Sequence, residues 1–203
     1  MYFEVIFDLE TKHWFDESGI TKLEELGVSV MCMYAREVDE EGNETTGEML
    51  SFWENNFENA WQYFRKADRI IGFNSIKFDV PVLAPFAPSD FEKLNHFDIY
   101  QEIKKSNDGF ASSLNSIAKS TLGRGKVDAA ENATVYWQRG DKESLELLEK
   151  YCKVDVEITK EVYDYAFHNK NLKYIDRWNS PRIVELDFSY PKELVTNTQP
   201  SLF

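Results

Sequence analysis

Residues 5–11 read VIFDLET, an apolar stretch that carries two carboxylates two residues apart. Because side chains along a β-strand alternate between its faces, Asp8 and Glu10 are expected to share one face, opposite the apolar residues at positions 5, 7 and 9. Two unit charges about 4 Å apart repel by roughly 4 kcal/mol at an effective dielectric constant of about 20. Either a hard cation such as Mg²⁺ or Mn²⁺ compensates this repulsion, or the strand lies at a sheet edge with one face in water.

The hydrophobic patterns around this stretch predict an α/β fold. Three strands are expected first, at residues 2–9, 27–37 and 48–54. The later expected elements are helix 56–68, strand 69–74, a helix from 79, strand 96–103, helix 112–123, a loop or broken helix over 124–140, helix 141–168 and late strands within 172–176 and 182–190. This order predicts a mixed five-stranded sheet, with its first three strands antiparallel, flanked by helices.

Composition and charge restrict the class of protein. The chain has 203 residues, and we expect residues 1–190 to form a single domain and residues 191–203 to be a tail. The formal net charge of −13 argues against a protein held on nucleic acid by bulk charge alone. Two cysteines without a CxxC pair argue against a disulfide framework and a zinc site. With neither a basic signal-peptide region nor an apolar run of ~20 residues, we expect a cytoplasmic protein without a membrane span.

A second group of polar residues surrounds the strand predicted at 69–74. In NSIKFD, residues 74–79, Asn74 stands at the end of that strand, where α/β sheets place their ligands. Asp79 opens the next helix, where a carboxylate is also a good N-cap, so its role stays open on the pattern alone. Asp98, on the next apolar strand, is expected to hold the structure near this segment rather than to bind a metal.

A third group lies on the long helix predicted at 141–168. In YCKVD, residues 151–155, Tyr151 and Asp155 are four residues apart and share a helix face with Leu148 and Ile158. A charged residue in an apolar stripe indicates either a functional carboxylate or an exposed residue at the edge of the stripe.

Taken in order, the three segments resemble the motifs of the DnaQ-like 3'→5' exonucleases of the DEDD superfamily, which have a ribonuclease-H-like fold. FDLET resembles their first motif, Asp-x-Glu, and NSIKFD their second, Asn-x-x-x-Phe/Tyr-Asp. YCKVD resembles the third motif in its tyrosine form, Tyr-x-x-x-Asp, and Lys150 stands where the histidine form needs its His. The resemblance covers roughly residues 3–176. Within the family, the chain is similar to stand-alone predicted exonucleases related to B-family polymerase proofreading domains.

This resemblance implies a metal-dependent exonuclease of the tyrosine (DEDDy) subtype. It would release nucleoside 5'-monophosphates from the 3' ends of single-stranded nucleic acid, with DNA favoured over RNA, and a polymerase or helicase would be a partner in trans. Two divalent cations, Mg²⁺ or Mn²⁺, are implied, with the ligands Asp8, Glu10, Asp79 and Asp155. Tyr151 would orient the attacking water, because a phenol with a pKa near 10 is a poor base at neutral pH.

The expected substrate contacts are Thr11, Asn74, Trp14 and Lys126. Trp14 and its neighbour Phe15 would stack a base, or they would cover the edge of the core. Lys126 forms a basic cluster with Lys119 and Arg124, which would hold phosphates or form a solvated helix end.

Two other functions remain open on the sequence. A nuclease fold that only binds nucleic acid or a protein is favoured by the net charge of −13 and disfavoured by the intact acids. A ribonuclease-H-like endonuclease would share the fold and the metals, but it gives no reason for a tyrosine four residues before Asp155.

Overall fold

A five-stranded mixed sheet forms the centre of the protein, which a computed structural model describes over residues 1–15, 19–125 and 131–191. Its strands are β1 (Tyr2–Thr11), β2 (Val28–Val38), β3 (Glu44–Trp53), β4 (Arg69–Gly72) and β5 (His96–Asp98). They lie in the order β3-β2-β1-β4-β5, with β1, β2 and β3 antiparallel and with β4 parallel to both β1 and β5. The predicted mixed sheet, with its first three strands antiparallel, is confirmed.

Strand β1 lies in the middle of this sheet. It pairs with β2 along its whole length, from Tyr2 opposite Val38 to Thr11 opposite Val28. On its other side it pairs with β4 only through residues 4–6, so its carboxyl-terminal half extends past the end of β4. The alternative that β1 is an edge strand is wrong, because the edges are β3 and β5.

Helices cover both faces of the sheet. They are α1 (Trp61–Lys66), α2 (Asp79–Leu83), α3 (Ile99–Ser106), α4 (Leu114–Leu122), α5 (Glu131–Arg139) and α6 (Lys142–Asn169). The cap of α6 is Asp141, whose carboxylate accepts a hydrogen bond from the Ser144 backbone amide. Within the described ranges, none of these helices combines the length and the apolarity that a bilayer crossing requires.

The two faces of the sheet bury two separate sets of apolar side chains. Val5, Phe7 and Leu9 pack on one face with residues of α1 and α2. Ile6 lies on the other face, in a cluster with residues of α3, α4 and α6. The predicted alternation along β1 is thus confirmed, and it directs the side chains of Asp8 and Glu10 to the face that α6 covers.

Several predicted elements differ from those observed, and the third strand begins at Glu44 rather than at residue 48. The strand predicted over 96–103 ends at Asp98, because the carboxylate of Asp98 accepts hydrogen bonds from the backbone amides of Tyr100 and Gln101 and so caps α3. The helix predicted over 56–68 is helical as α1 only over 61–66, and a 3-10 helix precedes it at Glu54–Asn59. Within the segment predicted as a loop or broken helix, residues 131–139 form α5.

A separate two-stranded sheet follows α6. Strands β6 (Asn171–Ile175) and β7 (Pro181–Glu185) form an antiparallel hairpin, which confirms the late strands as far as residue 185. A lone hairpin is marginally stable in water, and this one is anchored by Leu172 and Val184, which are buried in the α6 cluster. The predicted tail lies, from residue 192 onward, outside the described residues.

Candidate active site

Three carboxylates from two distant segments of the chain meet at the carboxyl end of β1. Asp8 and Glu10 extend from β1 beyond the end of β4, and Asp155 reaches them from α6. One oxygen of each carboxylate lies within 4.8 Å of the other two. Only 3% of Asp155 is exposed, so the alternative of an exposed residue at the edge of the helix stripe is wrong.

The carboxylates face a cavity of about 200 Å³. Eight of the nine predicted site residues line it: Asp8, Glu10, Thr11, Trp14, Asn74, Asp79, Tyr151 and Asp155. The ninth, Lys126, lies outside the described residues. Asp79 lines the cavity but is not in the group of three carboxylates, which among the described acids comprises Asp8, Glu10 and Asp155.

Helix α6 places Tyr151 and Asp155 at the cavity because residues four apart lie on the same helix face. The two residues are one turn apart, and Leu148 and Ile158 continue the same face into the core. The buried thiol of Cys152 lies 3.5 Å from the backbone carbonyl oxygen of Asp8, so the helix touches β1 directly beside the carboxylates. Burial raises the pKa of this thiol, which keeps it protonated and able to donate.

The second motif is held in place by Asp98. Its carboxylate accepts hydrogen bonds from the backbone amides of Asn74 at 2.8 Å and Ile76 at 3.1 Å, in addition to capping α3. Asn74 adopts a left-handed backbone conformation with φ 63°, a conformation that asparagine tolerates better than most residues. Burial raises the pKa of Asp98. The expected structural role of Asp98 near this motif is confirmed.

Asp79 occupies the first position of α2 rather than its cap. Phe78 is the residue at the N-cap position, and its side chain makes no capping hydrogen bond. The alternative that Asp79 is the N-cap is therefore wrong, because the helix begins at Asp79 itself. The buried side chain of Asp79 lines the cavity instead.

Four residues that line the cavity were not predicted as site residues, and one of them, Thr134, is polar; the other three are Leu9, Phe73 and Phe78. Thr134 lies on α5, is 2% exposed and lines the cavity. The available signal was the helical spacing of Ala133, Tyr136 and Trp137, which place α5 against the core. Lys12, next to Thr11, pairs with Glu54 and has its ammonium 5.1 Å from the centre of the Trp137 ring, so the end of β1 also contacts α5.

The predicted aromatic and basic substrate contacts are distributed differently. Trp14 lines the cavity with 41% of its surface exposed, whereas Phe15 is exposed without lining it. Arg124 forms an ion pair with Glu161 of α6. Neither Lys119 nor Arg124 lines the cavity, so the described part of the basic cluster is not part of this site.

The donor set fits a hard divalent cation. Carboxylate oxygens are the ligands that Mg²⁺ and Mn²⁺ prefer, and three of them converge here beside a cavity. Soft thiolate ligands are not part of the described group, since both cysteines are buried free thiols.

Comparison with known proteins identifies the fold. A family model described as RNase_H superfamily matches residues 5–167. The family B DNA polymerase of the hyperthermophilic archaeon Pyrobaculum calidifontis is similar, with a TM-score of 0.58 and 16% identity over 82% of this chain and 24% of the polymerase. The zinc-bound complex of E. coli ExoI with single-stranded DNA has a TM-score of 0.47 and 12% identity over 82% of this chain and 40% of that one.

This chain therefore spans about a quarter of the length of the polymerase that it matches. The comparison with curated proteins gave no match. The observed sheet has the predicted ribonuclease-H-like architecture, and the family model covers most of its strands and helices, from β1 to α6. The chain belongs to the RNase_H superfamily.

Proposed function

We propose that the protein is a divalent-metal-dependent 3'→5' exonuclease of the DEDDy subtype. It removes nucleoside 5'-monophosphates from the 3' end of single-stranded nucleic acid, with DNA favoured over RNA. The observation that carries this proposal is the convergence of three carboxylates within 4.8 Å, in a cavity that Tyr151, Asp79 and Asn74 also line. The 3'→5' direction is supported by the resemblance of the three motifs, in their order along the chain, to those of 3'→5' exonucleases.

The four acids are the residues that would hold metal ions. Asp8, Glu10 and Asp155 form the group of closest carboxylates, and Asp79 completes the acidic lining of the cavity. When bound, two divalent cations, Mg²⁺ or Mn²⁺, supply charge compensation and Lewis acidity for an in-line displacement at phosphorus.

The other cavity residues bind and orient the reactants. Tyr151 orients the attacking water through its hydroxyl, since an ordinary phenol holds its proton at neutral pH. Asn74 and Thr11 bind the terminal nucleotide, and the exposed ring of Trp14 stacks on its base. The protein's acidic charge of −13 gives no general attraction for nucleic acid, so recognition of the 3' end depends on these local contacts.

A direct assay tests this proposal. A single-stranded DNA labelled at its 5' end is incubated with Mg²⁺ or Mn²⁺ and either the wild type or Asp8→Asn, which keeps the shape of the side chain. We expect a ladder that shortens from the 3' end with the wild type and no ladder with the variant. A circular single strand, which has no ends, is the matched substrate and should stay intact.

The alternatives give different results in the same assay. Cleavage of the circular strand would indicate the endonuclease. Binding of the strand without cleavage of DNA or RNA under either metal would indicate a binding module. Parallel RNA of the same sequence measures the expected preference for DNA. A polymerase or helicase partner in trans, and a cytoplasmic location, remain part of the proposal.

A further inference from the structure

The β6–β7 hairpin carries a second cavity that the proposed catalysis does not use. It has a volume of about 570 Å³, and it is lined by Asn107, Asp108 and Phe110, which follow α3, and by Tyr174, Asp176, Arg177, Trp178, Arg182 and Ile183 of the hairpin. The hairpin lies beyond residues 5–167, which the superfamily model matches. Six of the nine lining residues therefore lie outside the matched range, and Asn107, Asp108 and Phe110 lie within it.

The tip of the hairpin exposes a large aromatic ring beside a cation. Trp178 is 67% exposed, and the guanidinium of Arg177 lies 4.1 Å from the centre of its ring. No carboxylate within the described ranges forms an ion pair with Arg177. An exposed indole can stack on an unpaired base, and a guanidinium without an ion pair can bind a phosphate.

Hydrogen bonds within the turn between β6 and β7 hold one part of the cavity lining. The carboxylate of Asp176 accepts hydrogen bonds from the backbone amides of Trp178 and Ser180, both at 2.9 Å, and pairs with Arg182 at 2.7 Å. These backbone hydrogen bonds lower the pKa of Asp176, so its charge is matched within the turn. The negative charge of Asp176 is thus compensated, and the cation of Arg177 is left for a ligand.

Two further aromatic residues, Phe110 and Tyr174, form a wall of the same cavity. The rings of Phe110 and Tyr174 lie 5.7 Å apart at an angle of 36°. The side-chain amide of Asn107 donates hydrogen bonds to the Tyr174 hydroxyl at 2.8 Å and to the Phe110 carbonyl oxygen at 3.0 Å, which fixes this wall to the end of α3. Aromatic rings and a guanidinium in one cavity lining are the features with which proteins hold unpaired bases and their phosphates.

We infer that this cavity is a second nucleic-acid site, at which Trp178 stacks on an unpaired base of the single-stranded substrate and Arg177 binds a phosphate. The inference rests on the proposed function, because it takes single-stranded nucleic acid as the substrate. Helix α3 connects the two sites: Asp98 at its start holds the Asn74 amide, and Asn107 follows its end. Eight helical residues span about 12 Å, so the substrate must extend several nucleotides to the 5' side of its 3' terminus to occupy both sites.

Binding without hydrolysis tests this inference directly. A fluorescein-labelled 15-nucleotide oligo-dT is titrated with the wild type in EDTA, and its anisotropy is measured. We expect Trp178→Ala to bind about tenfold more weakly and Trp178→Phe, which keeps a stacking ring, to stay within about threefold of the wild type. Arg177→Gln should weaken binding and reduce its dependence on salt.

Two control variants separate these effects from general ones. Ile175→Ala alters the same hairpin at an exposed residue that does not line the cavity, and it should bind normally. Lys142→Gln removes an exposed cation at the start of α6, and it should also bind normally. Affinity of Trp178→Ala equal to that of the wild type, or an equal loss in either control, would overturn the inference.

Kinetics distinguish the failure of this inference from that of the proposed function. With the 15-mer, Trp178→Ala should raise KM about tenfold and leave kcat unchanged, and with a dinucleotide neither constant should change. If the wild type hydrolyses the 15-mer and Trp178→Ala does so with the same KM, the second site is wrong and the exonuclease stands. If the wild type hydrolyses nothing, the exonuclease is wrong, and the anisotropy experiment still decides on the hairpin.

Light scattering examines the other possible occupant, a second copy of the chain. We expect the same mass for the wild type and Trp178→Ala. A larger mass that Trp178→Ala abolishes would mean that a second copy covers the hairpin, which would overturn the inference.

Discussion

Strand β1 carries carboxylates at both of its ends on the face that α6 covers: Glu4 at the start, and Asp8 with Glu10 at the finish. Glu4 is 1% exposed and accepts hydrogen bonds from the guanidinium of Arg36 at 2.9 Å and from the hydroxyls of Tyr163 and Tyr190 at 2.9 and 2.7 Å. At the other end, two acids of β1 meet a third, Asp155, within 4.8 Å.

The difference lies in where the positive charge comes from. A buried carboxylate is costly unless it is paired and hydrogen-bonded. The fold supplies Glu4 with a guanidinium from β2, and Arg36 in turn pairs with Asp164 of α6 at 2.6 Å. At the carboxyl end, the same strand and helix bring carboxylates together beside a cavity. In our proposal, cations from solution take the place there that Arg36 takes at the other end.

The largest expected effect is the loss of activity when Asp8, near the carboxyl-terminal end of β1, is replaced. Asp8→Asn should lower kcat/KM for a single-stranded oligonucleotide by at least about 10³-fold, because it removes a ligand and a charge at the centre of the cluster. Initial rates measure this, with circular dichroism to verify folding. A folded variant that keeps activity within tenfold of the wild type would contradict the proposed role of Asp8.

The next largest effect is the loss of stability when the partner of Glu4, near the amino-terminal end of β1, is replaced. Arg36→Leu leaves Glu4 buried without its guanidinium and should lower the free energy of unfolding by about 3–5 kcal/mol. Urea unfolding measures the loss. Arg65→Leu is the control, because Arg65 pairs with Asp90 at the surface at 3.6 Å, and it should cost less than about 1 kcal/mol.

The two losses should also differ in kind. Arg36→Leu that remains folded should keep a near-normal kcat, since Arg36 contacts Glu4 and Asp164 and not the cavity. Equal stability of the Arg36 and Arg65 variants would show that the Glu4 network contributes no more than a surface pair.

A smaller loss of kcat is expected for Tyr151, which would orient the water, than for Asp155, which would bind a metal ion. Tyr151→Phe should lower kcat by about 10- to 100-fold, because only the hydroxyl that positions the water is lost. Asp155→Asn should lower it by more than about 10³-fold. A matched kinetic comparison of the two variants measures the difference, and equal losses would argue against the orienting role of Tyr151.

The support beneath the second motif gives a smaller change still. Asp98→Ala removes the acceptor of the Asn74 and Ile76 amides and should lower the free energy of unfolding by about 1–3 kcal/mol while raising KM. Asp141→Ala removes the cap of α6, far along the chain from this motif, and should cost about 1 kcal/mol with KM unchanged. A KM that rises equally in both variants would mean that Asp98 acts only through stability.

The last prediction concerns cation binding without substrate. Mg²⁺ or Mn²⁺ at about 100 times its Kd should stabilise the wild type by about 2.7 kcal/mol, which raises Tm by roughly 5–10 °C. Asp8→Asn should show little of this shift, and Arg36→Leu should show all of it. Differential scanning fluorimetry measures Tm, and an equal shift in wild type and Asp8→Asn would place the bound cation elsewhere.

The sequence predicted the sheet and most of the site because both follow from short-range patterns. Alternation along residues 5–11 separated the acids from the apolar side chains, and the four-residue spacing of Tyr151 and Asp155 placed them on one helix face. The extent of the strand at 96–103 was wrong because a side-chain cap, Asp98, decides where α3 begins. Thr134 was missed because residues 124–140 were predicted as a loop or broken helix, although Ala133, Tyr136 and Trp137 have helical spacing.

By itself, the sequence determined which face of β1 would carry Asp8 and Glu10. It also determined which two later segments would contribute further acids, Asp79 and Asp155. Only the tertiary structure decided that β1 is central, that Asp155 joins Asp8 and Glu10, and that Glu4 meets Arg36 instead. It also decided that the exposed Trp178 borders a cavity. The physical reason is the distance along the chain over which each effect acts. Periodicity is a property of neighbouring residues, whereas the partner of a buried carboxylate is set by contacts between distant residues. Glu4 and Arg36 are 32 residues apart, and Asp8 meets Asp155 only because α6 packs on β1.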